Sequence, residues 1–382
     1  MTIWSGALFY SISGFTNITK NRRDIHISTA YFYLTGEGEQ LARRLAASHP
    51  GDLYNKENFK ANLQEAFHKY DYLVCIMATG IVVRILAPLI VHKTSDPGVV
   101  VLDQKGRYAI SLLSGHLGGA NDLAREMAAI SGGEAVITTA TDVAGELSFD
   151  TFAKKHHMAI ENIGQLKHIS GALLDGRAIR VITDGKYEEL TGGTPAATGH
   201  NSGSTGHGTA GKIQILTVKE ANFTGEANLP TVVIDEGFTF PSAPPFPVLY
   251  LRPRTICAGI GCKRHMDAAS IEKALLTTLK KEGISPLALK CISTIPLKAS
   301  EPGIIATAEH LGVPVEIIST ADIEALDIDT LGIQTSNFVA EQTGVLSVST
   351  ASAYLASGKG RILRDKVKYK GITVALCQGE GE

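Results

Sequence analysis

A chain of 382 residues with 44% hydrophobic content is longer than one core usually organises, so two or three packed α/β units are expected. Thirty-six Lys and Arg against 38 Asp and Glu leave a net charge of -2 and no long basic block, which removes the electrostatic case for nucleic-acid binding and points to a small-molecule ligand. No apolar stretch approaches the roughly 18 residues of a membrane span, and residues 1–10 lack the basic-then-apolar order of a secretory signal, so a soluble cytoplasmic protein without membrane contact is expected.

Residues 1–26 are read as an N-terminal extension, and 27–152 as an amino-terminal α/β domain. Ile27 to Leu34 is β-branched and aromatic, Thr35-Gly36 is a turn, and Leu41 and Leu45 recur at helical spacing within Glu39 to Ala47. The pattern repeats with a strand from Tyr72 to Met77, a turn at Thr79-Gly80 and a helix from Ile81 to Leu89 broken by Pro88. Val99 to Leu102 and Tyr108 to Leu113 are strands around Gln104-Lys105-Gly106, and Ala120 to Ile130 is a helix. Such alternation predicts mainly parallel, covered sheets.

Residues 153–250 form a less regular middle segment. Its tract 191–212 is built from Gly, Thr, Ser, Ala and His and is expected to be a disordered insertion, because it cannot bury enough apolar surface to offset chain entropy. His200 and His207 fall there, without the fixed geometry a metal requires. A proline cluster, 241–247, acts as a linker. The carboxy-terminal α/β domain, 254–382, starts with a strand from Thr255 to Ile260, after which Asp267 caps a helix carrying Ala268, Ile271, Leu275 and Leu279 on one face. The expected architecture is two mainly parallel-sheet, three-layer α/β domains joined by the middle segment. Cys75, Cys257, Cys262, Cys291 and Cys377 are odd in number and lack a C-x-x-C pair, which argues against a disulfide framework or a zinc site.

The densest chemistry lies in Ser114-Gly115-His116-Leu117-Gly118-Gly119-Ala120-Asn121, between a predicted strand and a predicted helix. Glycines there let backbone amides approach a carboxylate, phosphate or oxyanion, and His116 titrates near neutrality as a general base or acid should. The bland alternative is a helix start with a capping histidine. Thr79, Gly80 and Arg84 follow one strand and Thr141 and Asp142 another, so all are expected in one crevice with His116 at the carboxyl ends of strands. Asp96, before Pro97-Gly98, is either a turn former or an acid partner.

Gly261, Cys262, Lys263 and Arg264 place amides and two cations at the end of a strand, and Lys298 and Glu301 recur at a second strand-to-helix passage. The first resembles half of a dinucleotide fingerprint, without its third glycine. Glu301 serves equally as a helix cap or as a catalytic carboxylate. No G-x-S-x-G, H-E-x-x-H or Walker A pattern occurs.

Taken in series, Gly80 to Leu89, Ser95-Asp96-Pro97, Val99 to Asp103, Leu113-Ser114-Gly115-His116-x-Gly118-Gly119-Ala120-Asn121-Asp122-Leu123-Ala124 and Ile137 to Asp142 resemble the amino-terminal domain of the cobalt-precorrin-5A hydrolases. Gly259-Ile260-Gly261-Cys262, Lys298-x-x-Glu301-Pro302-Gly303 and Thr373-Val374-Ala375 resemble their carboxy-terminal domain. Ser347-Val348-Ser349-Thr350 departs from the pattern, ending in Thr where that family would have an acidic residue.

The resemblance implies opening of a corrinoid δ-lactone and release of acetaldehyde. His116, Asp142 and Glu301 are then the candidate catalytic residues. Thr79, Gly80, Arg84, Ser114, Gly115, Gly118, Gly119, Asn121, Thr141, Gly261, Cys262, Lys263 and Lys298 are candidates for gripping an acidic macrocycle in a cleft shared by the two domains. It also implies that cobalt arrives with the substrate, that the protein needs no cofactor or metal of its own, and that neighbouring pathway methyltransferases are partners. A non-catalytic carrier of corrinoid intermediates is the competing expectation.

Overall fold

Among the described residues, regular structure opens on the β-branched and aromatic run Thr29–Tyr33. The computed structural model describes residues 28–93, 95–185, 187, 190, 212–221, 228–335 and 347–380. The expected extension 1–26 and all of the tract 191–212 except Lys212 lie outside the described residues. Two compact units emerge, one running to Asp235 and resuming over Thr239–Leu251, the other comprising Glu236–Phe238 and the chain from Arg252.

The first unit opens with six strands: β1 (Thr29–Tyr33), β2 (Asp52–Tyr54), β3 (Tyr72–Ile76), β4 (Gly98–Leu102), β5 (Tyr108–Leu113) and β6 (Glu134–Val136). They lie in the order β2-β1-β3-β4-β5-β6. Both faces are covered, as alternation along each strand requires. Tyr31, Tyr33, Val74, Ile76, Val100 and Leu102 pack against helices Gly36–Ser48 and Ala120–Ser131. Ala30, Phe32, Leu73, Cys75, Val99 and Val101 pack against helices Phe59–Lys69 and Thr79–Leu86.

The first four strands of that order are parallel, but β5 runs antiparallel to β4, with Val99 opposite Leu113 and Leu102 opposite Ala109. The cause is the short turn at Asp103–Gly106, whose Asp103 accepts from the backbone of Lys105 and Tyr108. So short a link cannot make the crossover that parallel strands need. β6 then pairs parallel to β5, leaving two strands reversed relative to the rest.

The less regular middle segment carries a five-stranded sheet of its own, β7 (Met158–Ile160), β8 (Ile179–Thr183), β9 (Ile213–Leu216), β10 (Thr231–Ile234) and β11 (Val248–Pro253), in the order β7-β11-β10-β8-β9. Val181, Val232, Ile234, Leu249 and Leu251 share a core with Phe149, Phe152, Leu166 and Ile169, from helices Phe149–Lys155 and Leu166–Leu174.

The second unit holds β12 (Ile256–Cys262), β13 (Leu289–Thr294), β14 (Val315–Ile317), β15 (Arg361–Tyr369) and β16 (Ile372–Gln378), in the order β14-β13-β12-β16-β15. Asp267 caps helix Ala268–Lys281 as expected, accepting from the Ser270 amide at 2.8 Å. Register aligns Cys257 with Cys291 on one side and Cys377 on the other, so three fully buried thiols stand in a row on one sheet face. All five cysteines are free, and none of the described helices is long and apolar enough to cross a membrane.

Candidate active site

The loop after β5 has an unusual backbone. Ser114 takes φ 57° and Gly119 φ 79°, both left-handed, and the chain closes on itself as Gly119 N–H donates to the His116 carbonyl at 2.9 Å. Ala120 and Asn121 amides donate to the Ser114 and Gly115 carbonyls. Among the described residues, the amides of Gly115, His116, Leu117 and Gly118 find no hydrogen-bond acceptor. Ser114 Oγ is buried and likewise unpartnered.

This loop holds the His116 imidazole between two carboxylates. Nε2 lies 2.6 Å from Asp142 Oδ2 and Nδ1 lies 3.2 Å from Asp150 Oδ2. Hydrogen bonding to Asp142 and then to Asp150 outweighs partial burial and lifts the imidazole from 6.5 to about 9. The ring is therefore an imidazolium near neutrality, worth about 3 kcal/mol of preference for the charged form. Asp142 is driven below the usual carboxylate range by His116, against its partial burial, with Arg125 adding to the effect. Burial pushes Asp150 up, yet His116, Ser148 and the Thr151 amide together bring it below the ordinary value.

The carboxylates are themselves fixed. Arg125 donates to Asp142 Oδ1 at 2.8 Å and to Asp122 at 2.9 Å. Buried Asn121 donates to Asp142 Oδ2 at 3.0 Å while its own Oδ1 accepts from Ser111 at 2.6 Å. Thr141 Oγ1 lies 3.4 Å from Nε2, and Ser148 Oγ 3.3 Å from Nδ1 and in hydrogen bond with Asp150.

His116, Ser114, Gly115, Gly118, Gly119, Asn121, Thr141 and Asp142 thus gather in one place. Thr79, Gly80 and Arg84 do not join them. Because β5 is reversed, the loop after Leu113 lies at the edge where β3 and β4 begin, beside Gly98 and Tyr72. Thr79 and Gly80 follow the opposite end of β3, roughly 15 Å away along the strand. The expectation of one crevice fails on strand direction. Arg84 instead folds back on its own helix and donates to the Gly80 carbonyl at 3.0 Å. Asp96 is a turn former, accepting from the Val91 amide at 3.1 Å.

Asp150, Ser148, Arg125 and Ser111 escaped sequence reasoning. Nothing in Leu147-Ser148-Phe149-Asp150 marks the carboxylate except its place in the first turn of a helix.

In the second unit, Cys262 and Lys298 follow neighbouring parallel strands and therefore share an edge. Glu301 is 8% exposed and stands at the N-cap position of helix Pro302–Leu311, but its side chain makes no capping hydrogen bond. It ties the two turns together by accepting from the His265 amide and pairing with Lys298 Nζ at 3.2 Å. Burial pushes Glu301 up, but Lys298 and His265 bring it below the usual range. Burial raises the Cys262 thiol, partly countered by Lys298. Lys263 is exposed, and Gly261 accepts from Thr373 Oγ1 at 3.3 Å. Thr350, where the family pattern would have an acid, donates its hydroxyl to Asp365 at 2.5 Å. Among the described residues, no group of three or more His, Cys, Asp or Glu side chains is arranged to hold a metal ion.

Family models match in chain order: Cobalamin synthesis G N-terminal over residues 61–142, Cobalamin biosynthesis central region over 147–205 and Cobalamin synthesis G C-terminus over 256–377. His116 and Asp142 fall in the first match and Asp150 in the second. The chain is 33% identical over 362 residues to the cobalt-precorrin-5A hydrolase of Salmonella typhimurium, covering 91% of this chain and 97% of that one. It is 31% identical over 321 residues to the cobalt-precorrin-5A hydrolase of Priestia megaterium, covering 82% and 80%. A probable cobalt-precorrin-5A hydrolase of Methanocaldococcus jannaschii is 24% identical over 361 residues, covering 90% and 97%. With all three regions matched and identity above 30% along nearly the whole Salmonella protein, the chain belongs to the cobalamin synthesis G family, that of the cobalt-precorrin-5A hydrolases.

Proposed function

We propose that this chain hydrolyses cobalt-precorrin-5A, opening its δ-lactone with water and releasing acetaldehyde to give cobalt-precorrin-5B, with the chemistry centred on His116. Family membership supports the reaction class, and the imidazole clamped between Asp142 and Asp150 is the observation that carries the site.

Hydrolysis of the ester breaks the acyl carbon to oxygen bond and yields a carboxylate and an alcohol on the extruded carbon. The imidazolium of His116 suits the first step as a proton donor to the departing alkoxide. The neutral imidazole left behind, still oriented by both carboxylates, then takes the hydroxyl proton. The carbonyl of acetaldehyde forms, the carbon-carbon bond to the macrocycle breaks, and the electron pair left on the ring carbon collects that proton. One water is consumed, its two protons passing to solvent as the carboxylate forms, one acetaldehyde leaves, and His116 takes a proton back from solvent to close the cycle.

Cobalt is part of the substrate in this reading. Arg125 and Asn121 act through Asp142 as positioning residues.

Mixing purified protein with cobalt-precorrin-5A in single turnover and trapping acetaldehyde tests the proposal. Release by the wild type and its loss in His116→Ala are expected. Binding without release would favour a carrier, and full release by His116→Ala would remove the imidazole from the chemistry.

A further inference from the structure

Helix Phe149–Lys155 reaches the His116 loop twice. Its first turn supplies Asp150 to the imidazole, and one turn later Lys154, on the same side of the helix, extends over the end of the loop. A Cβ placed on Gly119 would stand 2.7 Å from Lys154 Nζ and closer still to the Tyr72 hydroxyl. The ammonium has no hydrogen bond or ion pair with any described residue. The carboxylates nearby are already taken: Asp142 by His116 and Arg125, Asp150 by His116, and Asp122 by Arg125.

Immediately before Gly119 stand the four unpaired amides of Gly115, His116, Leu117 and Gly118, and beneath them the orphaned hydroxyl of Ser114. A half-buried run of N–H donors without acceptors, next to a cation without an ion-pair partner, suits an anion with two acceptor oxygens. Phosphate would serve, but the reading of the site as one acting on a polycarboxylate selects a carboxylate.

We propose that Lys154 and the amides of Gly115–Gly118 form a seat for one carboxylate arm of the substrate, so that Lys154 sets affinity rather than the chemical step. The inference rests on the His116 site being where the macrocycle reacts. It makes helix Phe149–Lys155 responsible for both halves of the site, one residue orienting the imidazole and another gripping the substrate.

Amide signals of residues 115–118 in the 15N-labelled full-length protein report the seat without any turnover, during titration with acetate and, as a neutral control, acetamide. Saturable shifts with acetate alone are expected. In Lys154→Gln the acetate Kd should rise roughly tenfold, and Lys154→Arg should recover most of the loss. With cobalt-precorrin-5A, Lys154→Gln should raise KM roughly tenfold and change kcat less than about threefold. Amides that do not respond to acetate, or equal acetate affinity in wild type and Lys154→Gln, would overturn the seat. Wild-type protein that binds acetate at these amides but never releases acetaldehyde would overturn the hydrolase reading and leave the seat standing.

Discussion

Nδ1 of His116 lies 3.2 Å from Oδ2 of Asp150, across 34 residues of chain, and Asp150 is buried by the core of a different sheet from the one that presents His116. The imidazole is consequently oriented by groups from two separately packed layers. Each partner has a separable effect.

Asp150→Asn keeps the shape of the side chain and removes its charge. The His116 pKa should fall from about 9 by about one unit while remaining above 6.5, because Asp142 still holds Nε2. NMR titration of the ring protons measures this directly, and an unchanged midpoint would show that Asp150 does not communicate with the ring.

Stability should depend on pH in a defined window. His116 binds its proton more tightly folded than unfolded, so its contribution is complete below 6.5 and is lost as pH rises through about 9. Asp142 and Asp150 are shifted down, so theirs is present above the ordinary carboxylate range and is lost under acid. Urea unfolding at pH 6 and pH 9.5 should differ by up to about 3 kcal/mol in wild type and much less in His116→Gln. Equal pH dependence in the two proteins would contradict the clamp.

Gly118 is where the loop approaches itself most closely. A Cβ there would meet the Ser114 carbonyl at 2.7 Å and press on the Ser114 side chain. Gly118→Ala should therefore cost about 1 to 3 kcal/mol and displace His116. The thermal midpoint and the His116 titration should both move; a variant with neither altered would mean that the loop relaxes freely.

In the second unit, Asp267→Ala removes the acceptor of the Ser270 amide at the start of helix Ala268–Lys281. A lower midpoint is expected in chemical denaturation, without effect on the His116 titration.

Much of this was legible in the sequence, and what was not has identifiable causes. Apolar periodicity placed β1, β3, β4 and the Asp267-capped helix, and the Ser114–Asn121 run marked the loop that carries His116. The error about Thr79 and Arg84 came from applying a rule for parallel sheets past Gly106, although the short link between Leu102 and Tyr108 already implies a hairpin. The middle sheet went unseen because its strands are short, such as Met158–Ile160 and Thr231–Ile234, and are interrupted by the polar tract. Asp150 and Lys154 were invisible for another reason: side chains that converge through tertiary packing leave no spacing signature.

The row formed by Cys291, Cys257 and Cys377 has a consequence for how the second unit can be watched. Cys377 is pushed up to about 12 by burial and Cys291 is raised well above its ordinary value, first by its hydrogen bond to Cys257, so both remain as thiols that alkylating reagents attack slowly. Modification at these three positions has to wait until β12 parts from β13 or β16, whereas half-buried Cys262 sits at the strand's end. Mass-resolved labelling kinetics would thus separate fraying at the sheet's rim from rupture at its centre, giving the protein an intrinsic probe of its own opening.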